Sequence, residues 1–211
     1  MTTKGCLELV KRVPIVEDGG AKWLVDTGCP FSYPNPRVPI GETMASFLGV
    51  PALRMMGLDR LGIYTLIDYQ AGAITCSDEP IPFEGTSVPI MKGTWDRPYV
   101  RMSVGGKEVD AYLDTGAAVS YLSGLDMAKW PSAGEKEECD VSGQLWTTDT
   151  VVVPAGIAGF PFDVEFGDEK KNLMFQRAVD KDAVIGYNFF KSFTVLLNWR
   201  EMRLSFKPAG K

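Results

Sequence analysis

Two aspartates carry the chemistry available to this chain. Asp26 closes one apolar run and Asp114 another, and each is followed at once by Thr and Gly: Asp26-Thr27-Gly28 and Asp114-Thr115-Gly116. Ser and Tyr follow at the same distance in both copies, as Ser32-Tyr33 and Ser120-Tyr121. One Asp-Thr-Gly in 211 residues is unremarkable. Two, each at the end of a strand-like run and each with the same downstream pair, point to a repeated unit.

An Asp at such a turn has a defined set of uses. Gly lets the backbone turn tightly and pass close to another segment. Thr offers a hydroxyl to backbone across a symmetric contact. If two such loops meet about a two-fold axis, their carboxylates come within hydrogen-bonding distance, and two like charges that close share one proton over a wide pH range. The ionised member then serves as base on a water, and the protonated member polarises a carbonyl. A lone Asp after a strand is more simply a turn or cap residue.

Composition removes most alternatives. The chain has no histidine, which excludes Ser-His and Cys-His nucleophilic catalysis and His-based metal sites. No clustered acidic spacing suggests a metal centre, and no cofactor motif is present. The net charge of -5, without a basic run, argues against nucleic acid as a partner. Cys6, Cys29, Cys76 and Cys139 form no Cys-x-x-Cys pair and read as reduced thiols. With no leader pattern at Met1–Val10 and no apolar run of membrane length, the expectation is a cytoplasmic protein without membrane contact.

The elements that must position the aspartates repeat as well. Residues 7–28 read as two strands joined by a turn at Glu17-Asp18-Gly19-Gly20. Residues 98–116 read the same way, with the turn at Gly105-Gly106-Lys107. Later in each half come two apolar residues and a Gly, Met55-Met56-Gly57 and Val184-Ile185-Gly186, each leading into a short helix, 58–62 and 187–192. A closing strand-turn-strand block follows, in which Thr65–Thr75 aligns without a gap against Val195–Ser205. The whole reads as an internal duplication of a unit near 100 residues. The middles differ: 31 residues separate Asp26 from Gly57, but 72 separate Asp114 from Gly186. The first holds a Pro-rich loop (Pro30, Pro34, Pro36, Pro39) and a helix at 42–48. The second holds a helix near 125–129, a solvated acidic loop at Glu135–Glu138, and strands at 147–153 and 162–166. The Pro- and Gly-containing stretch 77–92 suits an extended linker. It divides the chain into an N-terminal lobe, 1–92, and a C-terminal lobe, 93–211.

The stretch Tyr112-Leu113-Asp114-Thr115-Gly116-Ala117-Ala118-Val119-Ser120 resembles the active-site loop of retropepsin-like aspartic proteases, and Val25-Asp26-Thr27-Gly28 is similar to the same loop. Val184-Ile185-Gly186 and Met55-Met56-Gly57 resemble the family's second hallmark, the psi-shaped loop behind the aspartate. Leu66-Ile67-Asp68-Tyr69 with Gly72-Ala73-Ile74 resembles the closing hairpin of bacterial relatives. The likeness spans roughly residues 12–76 and 98–207. Two lobes in one chain look pepsin-like, and the short lobes look retroviral. The resemblance implies a mostly β, pseudo-two-fold, bilobal aspartic-protease (acid protease) β-barrel fold with short helices and a reduced first lobe. It implies an aspartic endopeptidase acting on polypeptide as a monomer with an intramolecular active site, without cofactor or metal. Asp26 and Asp114 would be the catalytic pair, Thr27 and Thr115 the interlocking hydroxyls, and Gly28 and Gly116 the points that admit substrate backbone. Ser32 and Ser120 would support the loops from behind.

The sequence departs from that family in two places. The first middle has no room for a β-hairpin flap, so only the second lobe, around Asp140–Thr150 with Gly143 at the tip, could supply one. Trp146 beside it reads first as a packed rim residue and second as pocket lining. Cys29-Pro30 replaces a small residue and a non-proline. The alternative function on the same fold is a non-catalytic peptide- or protein-binding module, and a further reading pairs second lobes of two chains.

Overall fold

The computed structural model describes residues 2–33 and 42–210. Pro34, Pro36 and Pro39 of the expected Pro-rich loop lie outside them. In the first half the chain forms β1 (Thr2–Val10), β2 (Val13–Asp18), β3 (Ala21–Val25), α1 (Glu42–Leu48), β4 (Arg54–Met56), β5 (Tyr64–Asp68) and β6 (Ala73–Ser77). The connecting stretch holds β7 (Thr86–Pro89) and β8 (Met91–Lys92). The second half forms β9 (Pro98–Val104), β10 (Lys107–Leu113), β11 (Ser120–Leu122), β12 (Ser132–Cys139), β13 (Leu145–Ile157) and β14 (Phe160–Gly167). Then come α2 (Leu173–Ala178), β15 (Ala183–Ile185), α3 (Tyr187–Ser192), β16 (Phe193–Asn198) and β17 (Arg203–Pro208). The protein is mostly β, with few and short helices.

The two closing hairpins, β5–β6 and β16–β17, lie side by side in one sheet, flanked by β1 and β7. At its centre β5 pairs antiparallel with β16, and Leu66 sits opposite Leu196. These are the residues that the gap-free sequence alignment equates. Equivalent residues pair with each other in an antiparallel ladder only about a two-fold axis, so the axis passes through this junction. The buried cluster on this floor draws from both halves, including Val25, Ile67 and Ile74 with Leu113, Phe189, Leu197 and Phe206. The linker is therefore partly strand: β7 completes the floor against β17, and β8 opens the second half against β9.

Above the floor, β1–β4 form the first half's own sheet and β8–β15 the second's. The expected barrel is not a closed one. In the second half the far end of β13 turns back onto β9 at only two residue pairs, Ala155 with Val104 and Gly156 with Ser103, which curls the sheet on itself. In the first half the sheet stays open, from β4 through the floor.

Three local expectations change. The strand expected over Leu7–Val16 is broken at Lys11-Arg12, which adopt φ of 46° and 75° although neither is Gly. Left-handed backbone costs such residues roughly 1–2 kcal/mol each. Contacts at their side chains offset the cost: Arg12 Nη1 lies 2.6 Å from Glu165 Oε2, and Lys11 Nζ lies 3.7 Å from the centre of the Phe47 ring. The expected helix at 58–62 is a turn, whereas its counterpart at 187–192 is α3, whose Phe189 and Phe190 are fully buried. The acidic run Glu135–Glu138, expected as a solvated loop, is strand β12. Its side chains alternate: Glu135 and Glu137 are exposed, Lys136 is half-buried, and Glu138 is buried.

Candidate functional site

Each Asp-Thr-Gly leaves a strand that has a parallel neighbour. β3 pairs with β4 through Val25–Met56, and β10 pairs with β15 through Leu113–Ile185. The ladder continues into each aspartate, since the Asp26 amide donates to the Met56 carbonyl (2.9 Å) and the Asp114 amide to the Ile185 carbonyl (3.0 Å). The apolar-apolar-Gly segments thus fix where each Asp leaves its sheet. Gly57 and Gly186 are required there by close backbone approach: a Cβ at Gly57 would fall 2.6 Å from the Phe31 carbonyl, and one at Gly186 would collide with the Ala117 carbonyl oxygen. Ser32 Oγ accepts from the Gly57 amide (3.0 Å) and Ser120 Oγ from the Gly186 amide (3.1 Å). The two serines therefore occupy matching places behind the loops.

The loops interlock through their threonines. The Thr27 hydroxyl donates to the Leu113 carbonyl (2.8 Å) and accepts from the Thr115 amide (3.0 Å). The Thr115 hydroxyl donates to the Val25 carbonyl (2.7 Å) and accepts from the Thr27 amide (3.0 Å). Both threonines are fully buried, and four hydrogen bonds join the halves at this point. Each glycine amide then holds its own aspartate, Gly28 N to Asp26 Oδ1 and Gly116 N to Asp114 Oδ1, both at 2.8 Å. Each glycine also faces the opposite aspartate. A Cβ at Gly28 would collide with the Asp114 carboxylate, and one at Gly116 would lie 2.8 Å from Asp26 Cγ.

The two carboxyls are within hydrogen-bond reach of each other. Burial raises the Asp26 carboxyl well above the usual carboxylate range, and the charge of Asp114 and the hydrogen bond to it push it further. Burial also raises Asp114, but the hydrogen bond from Asp26, the Gly116 and Ala117 amides and the Arg97 guanidinium pull it back. Asp26 is buried, while Asp114 keeps partial exposure. Both carboxyls are thus raised, and the pair shares one proton over a wide pH range.

The dyad opens into a cavity of about 420 Å³. On one side it is walled by the hairpin β12–β13, with Glu138, Cys139, Asp140, Val141 and Trp146 on the cavity surface. The hairpin turn is set by Asp140, whose Oδ1 accepts from Ser142 N and Gln144 N at 2.9 and 3.0 Å, and by Gly143 at φ +84°. Gly143 faces Thr43 of α1, where an added Cβ would stand 3.0 Å from the Thr43 Cβ. The hairpin thus crosses the cleft and meets the first half at its tip, with Val141 and Cys139 packed on the core that contains Met44 and Leu48. Trp146 lies on the cavity wall and donates through Nε1 to the Tyr121 hydroxyl (3.2 Å). Gly143 shapes the crossing and does not line the cavity. Phe31, Trp95 and Met174, three of the five exposed large apolar side chains among the described residues, line the cavity.

Sequence reasoning did not anticipate three residues here. Arg97 is 7% exposed, lies on the cavity wall and stacks 4.4 Å from the centre of the Tyr112 ring. Glu138 lines the cavity, and burial pushes its carboxyl up to about 8, against the pull of Arg12 and the Val119 amide. Tyr69 is buried, its hydroxyl pushed up by burial and by the charges of Asp114 and Asp26, and that oxygen has no hydrogen-bond partner among the described residues. The Asp-Arg-Pro stretch at 96–98 and the charged run at 135–138 gave no periodic signal that would have marked Arg97 or Glu138. Cys29, beside the first loop, donates to the Phe31 carbonyl (3.2 Å), and burial drives its thiol up to about 12, so it remains an uncharged thiol.

Residues 94–197 match the family described as retroviral aspartyl protease. The match contains Asp114, the crossing hairpin and Val184-Ile185-Gly186, and it ends within β16. Among solved structures, the crystal structure of basic 7S globulin from soybean is similar at 12% identity and a TM-score of 0.36, over 80% of this chain and 54% of that one. The chain thus spans about half the length of that globulin. No curated protein matches the sequence. No helix among the described residues is long and apolar enough to cross a membrane. The segment that carries Asp114 is thus similar to the retroviral aspartyl protease family.

Proposed function

We propose that the protein is an aspartic endopeptidase in which Asp26 and Asp114 form one catalytic pair within a single chain, the two halves being copies of one duplicated unit. The observation that carries this reading is the hydrogen-bonded pair of carboxyls at the base of an open cavity, held by reciprocal threonine contacts. Asp114, ionised, takes a proton from a water held between the two carboxyls. Asp26, protonated, donates to the carbonyl oxygen of the peptide bond as the water oxygen adds to its carbon. As the resulting gem-diol collapses, the proton taken by Asp114 passes to the leaving amine, the C–N bond breaks, and one gem-diol hydroxyl returns its proton to Asp26 as the C=O bond re-forms. Gly28 and Gly116 leave room for the substrate backbone. The hairpin with Trp146 covers it from the second half, and Phe31, Trp95 and Met174 offer contacts to apolar side chains of an extended polypeptide. Division of the chain near Gly93 into two lobes, and action as a monomer, are part of this proposal. The four threonine hydrogen bonds, made between two halves of one chain, support this reading.

The test is cleavage of an unfolded protein substrate between pH 4 and 6 by the native protein and by Asp26→Asn and Asp114→Asn. Each substitution is expected to lower kcat by about 10³-fold or more. Hydrolysis that survives either one overturns the dyad. Folded native protein that binds peptide without cleaving it at any pH from 3 to 8 supports the binding module instead.

A further inference from the structure

The two Asp-Thr-Gly loops match bond for bond, yet their surroundings carry different charge. β9–β10 and β2–β3 are the antiparallel hairpins that deliver the aspartates, and their last ladder pairs are Tyr99–Tyr112 and Ile15–Leu24. Continuing each ladder by two residues puts Arg97 opposite Asp114 and Val13 opposite Asp26. Val13 is buried at 4% exposure in an apolar cluster of the first half. Arg97 is almost as buried, at 7%, but faces the cavity. Its guanidinium is fixed on three sides. Nε donates to the Thr94 carbonyl at 3.1 Å, the plane lies over the Tyr112 ring, and Nη2 is 3.9 Å from Asp180 Oδ1. Tyr112 is itself pinned, donating to Asp180 Oδ1 at 2.5 Å and accepting from the Thr94 amide at 3.0 Å.

We propose that Arg97 is a positioning residue that makes the dyad unequal: its fixed cation, beside Asp114 and without a counterpart beside Asp26 among the described residues, assigns the base role to Asp114 and the acid role to Asp26. This deepens the peptidase reading and rests on it for the roles of the carboxyls, though not for their titration. A symmetric pair places its proton on either oxygen set with equal ease. A cation on one side breaks that degeneracy before substrate arrives, because two charges of opposite sign at short range favour ionisation of the nearer carboxyl. Among the described residues, the groups facing Arg97 include Asp180 from the segment after α2, Tyr112 from β10, the Trp95 ring, and Asp114 from the loop after β10. The charge of Asp180 moderates the cation without cancelling it at Asp114, where the Arg97 field still lowers the carboxyl.

The deciding measurement does not need turnover. The protein is labelled with ¹³C at the aspartate carboxyls, and the lone remaining dyad carboxyl is titrated by NMR in Asp26→Asn and in Asp114→Asn. Asp114 alone is expected to ionise at lower pH than Asp26 alone. The gap is expected to narrow with Arg97→Gln, which keeps a donor for the Thr94 carbonyl, and to return with Arg97→Lys. Equal titration of the two single-aspartate proteins overturns the proposal, with no Arg97 variant required. So does a gap that Arg97→Gln leaves intact. In the active protein, Arg97→Gln is expected to move the acid limb of kcat/KM to higher pH and lower the rate about tenfold on that side, with Arg97→Lys restoring it. A titration gap without hydrolysis by native protein keeps the role of Arg97 and removes the peptidase reading; hydrolysis without a gap does the reverse.

Discussion

The region around Asp26 and the region around Asp114 solve the same local problem and differ in everything built outward from it. Inward, the correspondence extends to single hydrogen bonds. A strand delivers the Asp, a parallel neighbour ending in Gly receives its amide, a Ser hydroxyl steadies that Gly, and a Thr reaches across to the opposite strand. Outward, the second region carries a two-stranded hairpin, a buried Arg and a buried Glu on the cavity wall. The first offers α1, on which that hairpin rests, and Val13 in place of the Arg. The inner shell must be symmetric because the two loops are each other's packing surface. Neither Thr can satisfy its hydroxyl unless the other loop has the same shape. The outer shell has no such constraint. There one copy can hold the cover and the other its support, and a cation can stand on one side only.

The strongest way to break the inner symmetry is to fill the space between the loops. Gly28→Ala and Gly116→Ala each drive a methyl into the opposite carboxylate, which must then swing out of the paired geometry. Each is expected to cost about 10²-fold or more in kcat, because the displaced group is the one that must hold the water. The clash is tighter at Gly28, against Asp114, so Gly28→Ala is expected to be the more damaging of the two. Steady-state peptide hydrolysis, with circular dichroism to verify folding, ranks them. Equal activity of native protein and Gly28→Ala would show that the carboxyls stand farther apart than this geometry requires.

The threonine contact sharpens the comparison from the other side, because it should show no difference. Thr27→Val and Thr115→Val each remove a buried hydroxyl and strand one amide and one carbonyl from the opposite loop. Each is expected to destabilise by about 2–4 kcal/mol in urea unfolding, with the two values alike, and Thr→Ser at either position is expected to recover most of the loss. A marked inequality would mean that the halves do not lean on each other to the same degree.

These symmetric features are also the ones legible in the sequence. Asp26, Asp114, the two threonines, the two glycines and the two serines are small or turn-forming residues whose types the backbone dictates, so they recur at fixed offsets. Helix α1 and the closing hairpins were legible for a similar reason: periodicity and turn residues bracket them. Strand β12 was not, because its inward residues are Lys136 and Glu138 and a buried charged side chain leaves no apolar alternation to read. The break at Lys11-Arg12 was hidden because neither is a turn-forming residue, and its compensation, Glu165, lies 153 positions away. Arg97 was invisible for a third reason. Its significance is a difference between the copies, and a motif search finds what copies share.

Glu138 gives the smallest expected effect and the most direct test of the asymmetric outer shell, since it stands on the hairpin that only the second region has. Its carboxyl is buried beside Tyr121 and Trp146, with Arg12 and the Val119 amide favouring its charge and the charge of Glu165 opposing it. The folded protein holds it near 8, against about 4.5 for an ordinary Glu. A carboxyl raised on folding binds its proton more tightly in the folded state. Its contribution is therefore fully present below about pH 4.5 and is lost as pH rises through about 8. Glu138→Gln keeps the shape and removes the ionisation. It is expected to match native stability at pH 4 and to exceed it at pH 9, read as a difference in urea midpoints. The first region has no buried acid on its cover, because α1 presents Met44 and Leu48 to its core. If the variant and native protein instead kept the same stability difference at both pH values, Glu138 would be titrating as a solvated residue. The hairpin would then stand open to water and not against the opposite half.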